Sequence, residues 1–333
     1  MSPLPAHDWA FLTGRIAAME SRLIKDDTMQ RLVSLEDMND VFLLVSDTVY
    51  KDVFPVIGRL YEADSIVMGV YNARLAELLR FSPQPDVVRM FLLEYDFRNF
   101  KSFLKTRLAG LEIPRNGGSI SGDTWERVLN DLKTDLPPFW SQAMALIRAE
   151  VKEDQPELTP AVIDLVLDAE SLIQQVRIAG AIGYPIISKC AEAFRTVKAV
   201  EIIWRAKEGS YDMNRLRRLF IRDELDLPLL RELADLPLDS WADRLRPTLL
   251  GPLVDDVFSA PEAERVTSLT RRGENLVLDF AKAAKTVAFG PDRIYGYLCG
   301  LRTEVFNLRL VLAGKVNRIS SRLLQARLRG QYV

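Results

Sequence analysis

The stretch Asp96-Phe97-Arg98-Asn99-Phe100-Lys101-Ser102-Phe103-Leu104 has a counterpart far along the chain, Glu304-Val305-Phe306-Asn307-Leu308-Arg309-Leu310-Val311-Leu312. Both read acid, x, x, Asn, apolar, base, x, apolar, apolar. A third copy, Thr196-Val197-Lys198-Ala199-Val200-Glu201-Ile202-Ile203-Trp204, keeps the apolar places but has lost the acid and the Asn. A basic residue, Arg107, Lys207 or Lys315, follows eight positions after the anchors 99, 199 and 307, which are 100 and 108 residues apart. In each copy four apolar side chains step by 4, 3 and 4: Leu93, Phe97, Phe100 and Leu104; Ala193, Val197, Val200 and Trp204; Leu301, Val305, Leu308 and Leu312. That spacing puts all four on one helix face. Each helix is expected to be the centre of a small bundle. Burying one large apolar side chain stabilises by roughly 1.5–3 kcal/mol. Repeats of this length are domain-sized rather than solenoid-sized, so three related helical units are expected, over residues 1–122, 123–225 and 226–333.

Outward from these helices the period stays helical. Leu12, Ile16, Met19 and Leu23 recur at helical spacing, and Asp8 is expected to cap a helix beginning at Trp9. Breakers stand at Ser82-Pro83-Gln84-Pro85, Ile113-Pro114 with Asn116-Gly117-Gly118, Pro137-Pro138, Gln155-Pro156, Gly251-Pro252 and Gly290-Pro291. Alternating apolar runs flanking a tight turn are absent. The expected fold class is all-α, with about fifteen or more helices of ordinary length.

Composition narrows the function. Across 333 residues, 44 Lys+Arg face 46 Asp+Glu, a net charge of −2, which argues against a general nucleic-acid binder. The single histidine, His7, leaves no material for a His metal cage or a Ser-His-Asp triad. Cys190 and Cys299, 109 residues apart, suggest neither a disulfide framework nor a zinc site. The most apolar uncharged run, Ile178–Ser188, falls short of the roughly 20 residues a membrane span needs. The opening residues have no basic segment followed by an apolar one, so no signal peptide is expected.

Catalytic signatures are equally scarce. Gly314-Lys315 lacks the glycine five places earlier that a phosphate-cradling loop requires, and Asp255-Asp256 and Asp26-Asp27 lack the second acid of a magnesium motif. Neither a dinucleotide fingerprint, nor a nucleophile elbow, nor a zinc-protease helix occurs. No cofactor, metal or small-molecule substrate is therefore expected. Asp96, Asn99 and Lys101, with Glu304, Asn307 and Arg309 as their equivalents, read best as polar contacts made beside the apolar stripe. Gly296-x-x-x-Gly300 marks a close helix crossing. From Val305 to Val333 there are six basic residues and no Asp or Glu, and Arg318, Arg322, Arg327 and Arg329 are the candidate partner-binding groups. A second basic cluster, Arg215, Arg217, Arg218 and Arg222, is flanked by the acids Asp212, Asp223 and Glu224.

Several ordered stretches carry a family likeness. Arg15 with Met19-Glu20-Ser21-Arg22-Leu23, then Leu44-x-x-Asp47-Thr48-x-Tyr50, then Asp96-x-x-Asn99-Phe100-Lys101 come first. Phe289-Gly290, Ile294, Gly296-Tyr297-Leu298, Glu304, Asn307-Leu308-Arg309, Gly314-Lys315 and Tyr332-Val333 follow in the same order. On these residues the chain resembles the C/d-type subunit of V-type and archaeal-type rotary ATPases over essentially its whole length. Thr196, Ala199 and Glu201 depart from the family's repeated Asp-x-x-Asn-x-Lys. The resemblance implies three similar all-α domains around a pseudo-threefold axis, forming a funnel-shaped socket. It implies a non-catalytic rotor subunit, peripheral on the cytoplasmic face of a prokaryotic membrane. Its partners would be the proteolipid rotor ring and the central axle, and its role the coupling of ATP hydrolysis or synthesis to proton or sodium movement. The alternative carried from the residues alone is an all-α enzyme or scaffold with a motif-less acidic or basic cleft.

Overall fold

The structure is a computed structural model that describes residues 6–45, 48–50, 63–111, 119–150 and 159–333. The breakers at 113–118 and 155–156, and Asp47, lie outside these residues. The described chain is all-helical, without a strand. In chain order the helices are α1 (Ala6–Glu20), α2 (Asp26–Ser34), α3 (Met38–Leu44), α4 (Ala63–Phe81), α5 (Asp86–Leu108), α6 (Gly122–Leu129), α7 (Phe139–Ala149) and α8 (Pro160–Ile182). They continue as α9 (Pro185–Glu208), α10 (Met213–Leu219), α11 (Pro228–Asp235), α12 (Trp241–Leu245), α13 (Gly251–Phe258), α14 (Arg265–Lys282), α15 (Pro291–Val316) and α16 (Ser321–Arg327).

Local chemistry explains most of these boundaries. Ser82 to Pro85 separates α4 from α5, and Pro138 immediately precedes α7. Gly251-Pro252 and Gly290-Pro291 stand at helix starts, where a missing proline N–H costs nothing. Gly290 has φ +124°, a conformation closed to other residues. The first helix differs from expectation: α1 begins at Ala6, and Asp8 lies in its first turn. There the carboxylate meets the positive end of the helix dipole instead of capping it.

The apolar stripes are inside. Phe97, Phe100, Leu104, Ala193, Val197, Val200, Trp204, Leu301, Val305, Leu308 and Leu312 are all buried, and only Leu93 keeps partial exposure. The chain divides into two compact units, each drawn from separated stretches: residues 1–89, 182–193 and 270–333 in one, 90–181 and 194–269 in the other. In the first unit α15 packs against α4 and α1, and α16 against α2. In the second unit Phe97 and Phe100 of α5 meet Trp140 and Trp125 with ring centroids 4.3 and 4.4 Å apart, and Trp204 of α9 meets Trp241 at 5.2 Å. Such ring pairs add roughly 0.5–1.5 kcal/mol beyond the area they bury.

The three repeat helices share an ending that the sequence pattern does not reveal. Leu108, Glu208 and Val316, the last residues of α5, α9 and α15, each stand nine places after their anchors 99, 199 and 307. Two residues further on, Gly110, Ser210 and Arg318 adopt left-handed φ of +66°, +52° and +54°. Their N–H groups return to the carbonyls of Arg107, Lys207 and Lys315 at 3.2, 3.0 and 3.2 Å. The next N–H groups, of Leu111, Tyr211 and Ile319, return to Thr106, Ala206 and Gly314 at 3.0, 2.8 and 2.8 Å. This pair of bonds is the Schellman motif, which satisfies carbonyls left open at a helix end. The basic residue eight after each anchor lies in the last helical turn, where the dipole favours a cation.

Candidate interaction surface at the end of the chain

The polar residues of the repeats serve the packing. The acid position is buried in all three copies, at Asp96, Thr196 and Glu304. Asp96 accepts hydrogen bonds from the Ser119 backbone N–H at 2.9 Å and from Ser119 Oγ at 2.5 Å. Burial raises the pKa of Asp96, and these bonds oppose the rise. Glu304 accepts from the Ile24 N–H, and burial pushes its carboxyl up to about 7, a rise that this bond and the nearby Tyr50 hydroxyl oppose. Thr196 occupies the middle copy's position without burying a charge. Lys101 of α5 pairs with Asp168 of α8 at 2.5 Å, and Lys105, one turn on, with Asp164 at 2.6 Å. Asn99 is half-buried beside them.

Asn307 ties down the chain's last residues. Its Nδ2 donates to the Arg329 carbonyl at 2.8 Å, and the Arg329 N–H donates to its Oδ1 at 2.9 Å. Asn275 Oδ1 accepts the Gly330 N–H at 2.9 Å. Tyr332 then lies across Gly296 and Gly300: a Cβ built on Gly300 would stand 2.6 Å from the Tyr332 ring, and one on Gly296 2.7 Å from its hydroxyl. The Gly-x-x-x-Gly pair of α15 thus seats the C-terminal segment, and Gly296 also makes the expected close crossing, a Cβ there standing 2.6 Å from Ala284 Cβ and 3.0 Å from the Ala281 carbonyl at the end of α14. The Tyr332 hydroxyl donates to Glu20 at 3.3 Å, and Arg293 donates to the same carboxylate at 2.6 Å.

The four candidate arginines separate into two groups. Arg329 is turned inward, its Nε 2.7 Å from Glu274 and its guanidinium 3.9 Å above the Phe306 ring. Arg318, Arg322 and Arg327 are exposed and form no ion pair among the described residues. Arg309, the remaining basic position of the repeat, is half-buried on α15. Lys315 is drawn off the surface: its ammonium donates to the Val33 carbonyl at 2.5 Å and to that of Leu35. The middle cluster behaves differently. Arg215 and Arg218 share Glu150 at 2.9 Å each, Arg217 pairs with Asp235, and Arg222 with Glu170 and Asp223 at 2.6 Å each. Asp212, a flanking acid in the sequence, caps α10 through its side chain.

An open hollow of about 460 Å³ in the second unit is lined by Gln142, Leu146, Glu170, Arg177, Arg222 and Asp223. Its charges are matched internally, Arg222 as above and Arg177 with Glu224 at 2.7 Å. The described residues hold no group of three His, Cys, Asp or Glu placed for a metal ion, and no helix among them is long and apolar enough to cross a membrane.

Sequence reasoning identified the arginine-rich segment but missed its anchoring. Asn307 and the two glycines were visible in the sequence; their joint partner, the segment from Arg329 to Tyr332, was not. Nothing in periodicity tells which segment a small residue accommodates.

Comparison with known proteins agrees in extent with this whole-chain architecture. The family model for the ATP synthase (C/AC39) subunit matches residues 12–327. The C subunit of the V-type sodium ATPase of Enterococcus hirae is 25% identical, with 95% of this chain and 97% of that protein covered. The C subunit of the A-type ATP synthase of Methanosarcina acetivorans is 23% identical, covering 96% of this chain and 92% of that protein. Its counterpart in the A-type ATP synthase of Methanococcoides burtonii is 20% identical over 96% of this chain and 94% of its own length. A match that runs from within α1 to the end of α16 takes in all three repeat helices: this chain belongs to the ATP synthase (C/AC39) subunit family.

Proposed function

We propose that the chain is the non-catalytic rotor subunit of a V-type or A-type ATPase, joining the central axle of the soluble head to the proteolipid ring. In this reading it lies at the cytoplasmic face of a prokaryotic membrane. It passes torque between ATP hydrolysis or synthesis and the movement of protons or sodium ions. The observation that carries the reading is the end-to-end similarity to proteins named as the C subunit of a V-type ATPase or an A-type ATP synthase, with 92–97% of each of the first two relatives above covered. A torque-bearing part needs rigid helices and well-packed contacts rather than titrating catalytic groups. Long repeat helices closed by matching C-caps and buried stripes meet that need. We assign the three related units to residues 1–122, 123–225 and 226–333, each centred on one of these helices. Arg318, Arg322 and Arg327 are the assigned contact groups on the membrane side of the chain, with Arg329 fixing the segment that bears them.

The test is affinity capture of the tagged chain from detergent-solubilised membranes. The reading expects ring and axle proteins to be captured together. Capture of neither, from membranes shown to hold an assembled ATPase, contradicts it.

A further inference from the structure

We propose that the corner made by the end of α15 and by α16 binds a lipid surface bearing anionic phosphate headgroups. Three large aliphatic side chains face solvent here: Val316 is 47% exposed, Ile319 39% and Leu323 56%. Between and beside them stand the exposed Arg318, Arg322 and Arg327, without an ion pair among the described residues. No Asp or Glu occurs from Val305 onward, so nothing in this stretch neutralises them.

The inner side of the corner is fully engaged, which fixes the outer side for contact. Leu324 is buried against Gly314, Ser321 Oγ donates to the Val33 carbonyl at 2.9 Å, and Lys315 reaches the same carbonyl. Arg318 takes the left-handed cap conformation, and the Ile319 N–H folds back to Gly314, so residues 316–319 form one tight turn leading into α16. An internal control comes from the equivalent short helix of the middle repeat. After the same cap, α10 also carries arginines, yet Arg215, Arg217 and Arg218 are each paired with an acid. Unpaired guanidinium groups on α16 are therefore not a general property of this repeat.

Aliphatic side chains interleaved with guanidinium groups match the layering of a membrane boundary, where phosphates lie just above hydrocarbon. The planar guanidinium fork also suits phosphate oxygens bidentately. An acidic protein surface would satisfy the arginines but leaves three water-facing aliphatic side chains without a reason. The inference goes beyond the rotor reading and does not depend on it.

The experiment is co-sedimentation of the full chain with phosphatidylcholine vesicles, with and without phosphatidylglycerol, over a salt series. The parent is expected to bind anionic vesicles at least about tenfold more tightly at low salt, since each basic residue near such a surface contributes about fivefold. R322E/R327E should lose about tenfold or more. I319S/L323S should lose severalfold, with a loss that persists at high salt. Equal binding to both vesicle types, or parent-like binding by either double variant, overturns the proposal. Should a double variant melt early, R327Q and the parent's salt series decide, and binding unchanged by both overturns it. A chain that ignores vesicles but captures the ring in detergent also overturns it and leaves the rotor reading standing. Vesicle binding without ring capture does the reverse.

Discussion

Glu304 is the most consequential single residue of the first unit, because its carboxyl is buried on α15 with few polar contacts. Its pKa rises from the usual 4.5 to about 7, chiefly by burial. A raised acid pKa means the native state holds the proton more tightly than the unfolded chain. Its stabilising contribution is complete below pH 4.5 and is lost as pH climbs through 7. The shift corresponds to roughly 3 kcal/mol at most. Other acids, the buried Asp96 and Asp292 and the half-buried Asp168, slope the same way, each raised first by loss of water around the carboxylate. The difference between parent and variant isolates Glu304. Denaturant unfolding from pH 5 to 8 should show the parent losing stability relative to E304Q as pH rises; parallel curves would show that Glu304 does not titrate there. Gly300 is equally exacting on steric grounds. G300A drives a methyl into the Tyr332 ring, and overpacking of this kind costs about 1–3 kcal/mol. Its melting temperature should fall, and tryptic cleavage after Arg327 and Arg329 should quicken.

Among the elements, the three Schellman caps offer a paired experiment. Gly110 meets its φ of +66° without a Cβ penalty, whereas Ser210 at +52° bears one. Left-handed backbone costs a side-chain-bearing residue about 1 kcal/mol. S210G should therefore stabilise and G110A destabilise, each by about that amount in chemical denaturation; effects of the same sign would break the equivalence of the caps. F100A removes a ring stacked on Trp125 at 4.4 Å and should cost about 3–5 kcal/mol. The long helices were legible in sequence because a stripe of period 3.6 repeats at anchors 99, 199 and 307. Their common ending was legible only at Gly110, since Ser210 and Arg318 carry no compositional mark of a left-handed cap. The tail arginines were visible as charge. Arg329 could not be told from Arg327 without knowing that Glu274 lies 2.7 Å from it. The aliphatic half of the corner also stayed hidden, because Val316, Ile319 and Leu323 in a helical pattern read as core until their exposure is seen.

For the whole molecule, the last six residues fasten the first unit, linking α15, α14 and α1 through Asn307, Asn275, Glu274 and Glu20. Deleting residues 328–333 should lower the melting temperature more than G300A does, since it uncovers the glycine seat and strands Asn307. The central claim is that this chain transmits rotation without itself turning over ATP. The direct measurement uses membrane vesicles from cells lacking the chain, with the purified chain added back, recording ATP hydrolysis and ATP-driven ion uptake together. The account predicts that hydrolysis by the head persists while ion uptake is lost, and that adding the chain restores uptake. Ion uptake that proceeds undiminished without the chain, or ATP hydrolysis by the purified chain alone, would contradict it.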